Sequence, residues 1–359
     1  MARRPQGVLR RGWTTGACAA AAARAAYQAL LTGEFPDPVT IRLPKGETPS
    51  FPLAQKVLEN DAASAAVIKD AGDDPDVTHG ALIVARVSPG AVGSGVTFHG
   101  GSGVGTVTKP GLPVPPGEPA INPAPRVLIR EMLTEVATEH DRVPDVAVVI
   151  SVPDGKRMAA HTWNPRLGIV GGLSILGTTG VVIPYSCSAW IHSIHQGIDV
   201  ARATGIEHIA GATGKTSEAA VRRHHGLEEA AVVDMGDFVG GMLKYLNNHP
   251  VPRLTIAGGF AKLTKLAQGH MDLHSDRSQV DFDALAALAD GLGALEPVVR
   301  SVRVANTASE ALELVAGLRL GDAIAAAARE TVLGRLSASI ELDVLVVNRQ
   351  GRTVGHAGS

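Results

Sequence analysis

The chain has 359 residues, 45% of them hydrophobic and 19% charged, with a formal net charge of −2. That length suggests about two domains with ample apolar material for their cores. Aromatic content is only 3% and no basic run goes beyond Arg3-Arg4 and Arg10-Arg11, which excludes a nucleic-acid surface; the two cysteines, Cys18 and Cys187, exclude a disulfide framework and fit a reducing compartment.

Arg10 and Arg11 precede GWTTGACAAAAARAA. This stretch is too weakly apolar for a signal-peptide core, and Arg24 interrupts it. Alanine is the best helix former, so the spacing predicts a helix over Ala17–Leu31. Strand-like runs follow at Val39–Leu43, Ser50–Leu53, Ala66–Ile68 and Ala81–Val87, separated by Pro, Gly and Asp turns. The acidic stretch Asp70–Asp76 lacks the spacing and final Glu of a calcium loop and reads as a solvated turn.

Next comes GGSGVGTVTKPGLPVPPGEPAINPAPR, Gly100–Arg126, with seven of the 22 prolines and six of the 41 glycines. Neither a helix nor a central strand tolerates that density. The window also carries Val104, Val107, Leu112, Val114 and Ile121, so it reads as an ordered loop that shapes a binding site rather than a linker. An amphipathic helix is expected over Val127–His140 and a buried strand from Asp145.

A second loop-rich region, HTWNPRLGIVGGLSILGTTG, spans His161–Gly180, and a helix is expected over Ser186–Ala203. Strands IEHIA, AAVVD and RLTIAGG then alternate with helices of about ten residues, which implies crossover connections and a parallel sheet. Helical sequence fills Phe282–Leu333 before a last strand, Asp343–Asn348. The expected fold class is thus α/β and α+β: an N-terminal α+β domain over residues 1–185, then a Rossmann-like α/β domain with a mainly parallel sheet over 186–359. No segment reaches the roughly 18 unbroken apolar residues of a membrane span, so a soluble cytoplasmic protein without membrane or nucleic-acid partners is expected.

The turn Gly211-Ala212-Thr213-Gly214-Lys215-Thr216 is two residues short of a phosphate loop, which argues against nucleotide hydrolysis. It still lies between a strand and a helix N-terminus, where amides and the dipole favour polar ligands. Asp234 ends the next strand, where Rossmann-type sites place an acid on a ribose; a helix cap and a strand-end aspartate explain the same residues as well. Gly258 and Gly259 give a small-residue strand end on the same side. The pair His270 and His274, with Asp272 between them, lacks the Glu of a zinc protease and any third ligand, so it reads as a polar pocket contribution and no metal site is expected. His192 and His195 read as core or interface histidines, and Cys18 as a small buried thiol.

Taken in order, RRGWTTGACAAAAARAA, the Gly100–Arg126 window, NPRLGIVGGLSILGTTG and AKLTKLAQGHMDLHS resemble the motifs of the CbiD family, with Ala261 at a frequent glycine. The resemblance runs from about Leu9 to Asn348. It implies transfer of a methyl group from S-adenosylmethionine, the cofactor, to C1 of cobalt-precorrin-5B, a carboxylate-fringed cobalt corrinoid of cobalamin biosynthesis. On that reading Gly211, Thr213, Gly214, Asp234, Gly258 and Gly259 meet the cofactor. Lys109, Arg126 and Arg166 meet the substrate's carboxylates. Thr14, Thr15, Asn122, Asn164, Ser174, Thr178 and Thr179 complete the rim. His274, His270 and Asp272 are the candidates for moving a proton. The alternatives are a corrinoid carrier without its own chemistry and a nucleotide-dependent enzyme using GATGKT. Neighbouring enzymes of the pathway are implied partners, and the alanine-rich stretch Ala323–Leu333 leaves room for a homodimer.

Overall fold

The computed structural model describes residues 7–358, so Arg3 and Arg4 lie outside the described residues. The chain divides after Cys187 into two compact units, each mixing helices with sheets that hold parallel and antiparallel strands.

The first unit opens on β1 (Gly12–Trp13) and α1 (Thr15–Thr32). Thr14 caps the helix, its hydroxyl accepting the Ala17 amide at 3.1 Å. Every alanine of α1 is 0% exposed. Methyl-sized side chains let the helix backbone lie close to the sheet, while Arg24 reaches out to Glu135 at 2.7 Å. After β2 (Val39–Thr40), β3 (Ser50–Phe51) and β4 (Gln55–Leu58) come β5 (Ala63–Ile68), β6 (Leu82–Pro89) and β7 (Val96–Gly100). Then follow β8 (Thr106–Val107), α2 (Pro123–Glu139), β9 (Val146–Ser151), α3 (Gly155–Ala159), β10 (Ile169–Val170) and β11 (Val181–Val182).

The main sheet has the order β4-β5-β6-β9-β7, antiparallel except for the parallel pair β7 and β9. α1 packs on β5, β6 and α2 over one apolar core. The parallel pair sets where the loops of this unit emerge. The crossover from β7 to β9 contains the Gly/Pro window and α2, and the second Gly-rich loop follows β9. Both loops therefore leave the same, carboxyl-terminal, end of two adjacent strands.

Two expectations change here. The wholly exposed edge strand β4 carries no apolar alternation, and β7 alternates only over Val96–His99 before running into the Gly/Pro window, so neither was expected from the sequence. The acidic turn is not simply solvated. Asp70 pairs with Arg10, Asp73 accepts the Arg10 amide, Asp74 accepts the Tyr185 amide at 2.7 Å, and Asp76 lies 2.6 Å from the buried ammonium of Lys69. These carboxylates tie distant segments together.

The second unit begins within α4 (Cys187–Ala203) and continues as β12 (His208–Ala212), α5 (Lys215–His225), β13 (Val232–Asp234), α6 (Val239–Leu246), β14 (Arg253–Gly259) and α7 (Phe260–Ala267). Helices α8 (Phe282–Gly291), α9 (Glu296–Arg303), α10 (Ala308–Leu314) and α11 (Leu320–Leu333) precede β15 (Glu341–Val347) and β16 (Thr353–Ala357). The sheet order is β13-β12-β14-β15-β16. The first four strands are parallel, and the unexpected β16 folds back antiparallel on β15. β13 lies on one side of β12 and β14 on the other, so the strand order reverses between β12 and β14. Buried α11 packs on α7, β15 and β16, so the apolar face of Ala323–Leu333 is consumed within the chain.

Candidate functional site

In the first unit the two glycine-rich loops are knitted backbone to backbone. Gly105 donates to the Leu173 carbonyl at 2.9 Å, Leu173 to Gly103 at 2.9 Å, Ile175 to Ala120 at 2.8 Å, and Asn122 to Ile175 at 2.9 Å. β8 pairs with β10 in the same seam. A Cβ placed on Gly172 or on Gly155 would stand 2.1 Å from the Gly103 carbonyl oxygen. A Cβ on Gly103 itself, where φ is +72°, would stand 1.9 Å from the Val152 carbonyl oxygen. Glycine is needed at these positions because backbone occupies the space a side chain would take. The Gly/Pro window is held in place, as the sequence reading expects of an ordered loop.

The ten polar residues expected on this rim fall into two sets. Most are spent on the framework. Thr14 caps α1, while Thr15 accepts the Leu176 amide at 3.0 Å and donates toward carbonyls of the second loop. Asn164 donates to the Gly172 carbonyl at 3.1 Å and accepts from Ser174 at 3.3 Å. Thr179 exchanges bonds with Val181. Arg126 pairs with Glu118 at 2.7 Å and donates to the carbonyls of Ile121 and Pro119. Its guanidinium braces the proline loop, an engagement the residue type alone does not reveal. Arg166 lies over the Trp163 ring, 4.8 Å from its centroid.

The second set is available. The side chains of Lys109, Asn122 and Thr178 make no hydrogen bond or ion pair among the described residues. The stem of Lys109 lies against Gly168, where an added Cβ would meet it at 2.5 Å, so its backbone attachment is fixed while its ammonium is not. An amide, a hydroxyl and a cation on one rigid loop pair can hold carboxylates of a ligand.

In the second unit the candidate residues gather at the carboxyl-terminal edge of the parallel sheet. Open α/β sheets bind ligands there, where the strand order reverses. Thr213 follows β12, and its carbonyl accepts from Lys262 at 3.0 Å. Lys262 also lies 2.9 Å from the carboxylate of Asp237, which is 6% exposed. Gly214 opens α5 at φ 154° and ψ 176°, backbone reserved for glycine, with open space where a Cβ would point. Gly259 likewise borders open space.

Gly211 and Gly258 serve a different purpose. A Cβ on Gly211 would stand 2.7 Å from the Met242 sulfur, and one on Gly258 would stand 1.9 Å from Leu263. Both are small so that the core can close behind the edge. Asp234 turns its carboxylate onto the Gly236 amide at 3.2 Å, and its carbonyl accepts from Trp190 at 3.0 Å.

The loop bearing the histidines docks on this edge. Leu273 donates to the Asp237 carbonyl at 2.9 Å, and Gly240 donates to Met271 at 2.9 Å. The buried ammonium of Lys265 holds the loop from beneath through the carbonyls of Leu273 and Ser278. Burial pulls the Lys265 pKa down, against the opposing pull of Asp237. Asp272 pairs with Arg277 at 2.7 Å. Nδ1 of His274 accepts the Asp276 amide at 3.2 Å, which puts the proton of the neutral ring on Nε2. The ring of His270 makes no hydrogen bond among the described residues. Elsewhere His195 stacks on Tyr245 at 3.9 Å whereas His192 is exposed, and burial pushes Cys18 up to about 12, an inert thiol.

Comparison with known proteins gives these arrangements a lineage. The family model described as CbiD matches residues 2–184, and CbiD, C-terminal domain, matches residues 272–358. The chain belongs to the CbiD family. A relative in Paramagnetospirillum magneticum, named cobalt-precorrin-5B C(1)-methyltransferase, is 60% identical over 97% of this chain and 98% of its own. Relatives of the same name in Brucella anthropi and Halorhodospira halophila are 58% and 57% identical, covering 96% and 98% of this chain and 94% and 95% of theirs. A crystal structure of the cobalamin biosynthesis protein CbiD from Archaeoglobus fulgidus is 31% identical, covering 76% of this chain and 84% of that one, with a TM-score of 0.42.

Within this chain, residue typing overlooked Lys262, Lys265, Asp237 and Trp190. The first two stand in the AKLTKLAQG motif itself, whose paired lysines are the signal that pointed to them.

Proposed function

We propose that this chain transfers a methyl group from S-adenosylmethionine to C1 of cobalt-precorrin-5B, a step in making cobalamin. The observation that carries this is the 60% identity, over 97% of the chain, to a relative of that name. S-adenosylmethionine supplies a methyl on a cationic sulfonium, and the reaction leaves a neutral thioether. The protein's task is to hold donor and acceptor in line, which removes much of the orientational entropy from the barrier.

The second unit is read as a Rossmann-like domain for the donor, because its strand order reverses beside Gly214 and Gly259, where the surface is open to a ligand. Asp234 takes ribose hydroxyls, and Thr213, Gly214 and Gly259 line the approach. In the first unit Lys109, Asn122 and Thr178 hold carboxylates of the corrinoid. His270, with a ring free of internal hydrogen bonds, is the acceptor for a proton leaving the methylated ring. His274 and Asp272 hold the loop that carries it. Among the described residues no helix is long and apolar enough to cross a membrane, and neither cysteine is in a disulfide, which suits a cytoplasmic enzyme.

The test is to incubate the full chain with S-adenosylmethionine and cobalt-precorrin-5B. The expected result is gain of one methyl group by mass spectrometry together with S-adenosylhomocysteine. Calorimetry with S-adenosylhomocysteine and with ATP and magnesium separates the rivals. Corrinoid binding without S-adenosylhomocysteine binding indicates a carrier, and ATP binding alone indicates a nucleotide enzyme.

A further inference from the structure

The opposite, amino-terminal edge of the second unit's sheet carries a cluster that the methyl-transfer reading does not use. Side chains alternate faces along a strand. On β15, Leu342, Val344 and Val346 enter one core while Leu345 and Val347 enter the other, beneath α5. Asp343 shares the second face, as does Thr255 beside it in register on β14. His208 opens β12 on the same side, and His225 ends α5 above them. One ligand atom from each of His208, His225 and Asp343 lies within 4.8 Å of the others.

We propose that His208, His225 and Asp343 form a binding site for a divalent transition-metal ion of the zinc class. Two imidazoles and a carboxylate are a common donor set for such ions. Nε2 of His225 stands 3.5 Å from Oδ2 of Asp343. Ligands about 2.1 Å from a tetrahedral ion stand about 3.4 Å apart, so this pair already has the separation of two ligands on one ion. Nε2 of His208 and of His225 both face the Thr255 hydroxyl, at 2.8 and 3.3 Å, so the two rings converge on one point.

The charge balance also favours a cation. Asp343 is 0% exposed, and its Oδ1 has no hydrogen-bond partner. A buried carboxylate oxygen without a partner is costly. The guanidinium of Arg253 is divided between Asp343 at 2.6 Å and Glu341 at 3.5 Å, so Asp343 does not hold that cation alone. The carboxyl-terminal end of α5 adds its negative dipole end. The ion would pin that helix end to the sheet, at the edge opposite the proposed donor site.

The competing arrangement is a closed hydrogen-bond network in which both rings donate to Thr255 and its hydroxyl donates to Asp343. The two are separated by titrating the chelator-stripped full chain with zinc chloride in a calorimeter at neutral pH. The proposal expects one zinc per chain, a higher melting temperature with zinc, and loss of roughly tenfold or more in affinity for His208→Asn/His225→Asn. Far-UV circular dichroism of the metal-free variant should match that of the metal-free parent. X-ray absorption of the zinc-loaded parent should show imidazole nitrogens and oxygen in the first shell, a readout that holds even if the variant fails to fold. No stoichiometric zinc binding, an unchanged affinity in a folded variant, or sulfur in the shell overturns the proposal. None of these readouts depends on methyl transfer.

Discussion

Lys262 and Asp237 form a 2.9 Å ion pair at the carboxyl-terminal edge of the parallel sheet, and the same ammonium donates to the carbonyl of Thr213, the residue after β12. One side chain thus fixes the end of one strand to the loop after its neighbour. Asp237 is nearly buried, so removing its cation leaves a carboxylate that water reaches poorly. Lys262→Met is expected to cost about 1–3 kcal/mol of stability, read by urea unfolding. It should also weaken S-adenosylhomocysteine binding, because Thr213 borders the proposed donor site. An unfolding midpoint equal to the parent's would show that the pair does not organise this edge.

Lys109 and Arg126 flank the same proline loop but answer to different tests. Arg126 is engaged with Glu118 and two carbonyls, so Arg126→Ala should lower stability by about 1–3 kcal/mol. Lys109 makes no polar contact within the described chain, so Lys109→Met, which keeps the stem over Gly168, should leave stability within about 0.5 kcal/mol. It should instead raise KM for the corrinoid by roughly tenfold or more, the worth of one hydrogen bond to a charged group. Melting curves and steady-state kinetics on the two variants check the contrast, and the same effect on both would remove it.

Gly172 faces the Gly103 carbonyl so closely that a Cβ would stand 2.1 Å away. Backbone on both sides leaves nothing flexible to move. Gly172→Ala is expected to destabilise by about 1–3 kcal/mol or more through overpacking and to loosen the loop seam. Gly291, at the end of α8 with no positive φ and open space at its Cβ position, is the control: Gly291→Ala should cost little. Hydrogen exchange at the Leu173 and Asn122 amides reports the seam directly, and unchanged protection in Gly172→Ala would refute the knot.

Much of this fold was legible because its signals are local. The alanine helix, the βα alternation after His208 and the unusual Gly/Pro window each announce themselves in one stretch of chain. What escaped notice depends on distance. The spent and available polar residues of the rim look alike in sequence, because Thr15 and Thr178 differ only in whether a remote carbonyl sits beside the hydroxyl. His208, His225 and Asp343 come from three elements and meet only through strand order and register. The exposed strand β4 has no apolar alternation to read, and Gly211 resembles a ligand-binding glycine although methionine sulfurs occupy its side.

Asp70 gives a test with a defined pH window. Its pairing with the Arg10 guanidinium, helped by the Gly72 amide, holds its pKa at about 2, below the ordinary value of 3.8. The folded state therefore favours the ionised form more than the unfolded chain does. Stability from this pair is fully present above about pH 4 and is lost as pH falls through about 2. The carboxylate is 42% exposed, so screening reduces its worth to about 1 kcal/mol at neutral pH, less in high salt. Asp70→Asn should show that deficit in urea unfolding at pH 7. Between pH 4 and 2 the parent should lose its advantage until the two unfold alike, because both then carry a neutral side chain beside Arg10. A deficit that persists unchanged at the acid end would mean that Asp70 acts through its amide-binding turn with Gly72 rather than through charge.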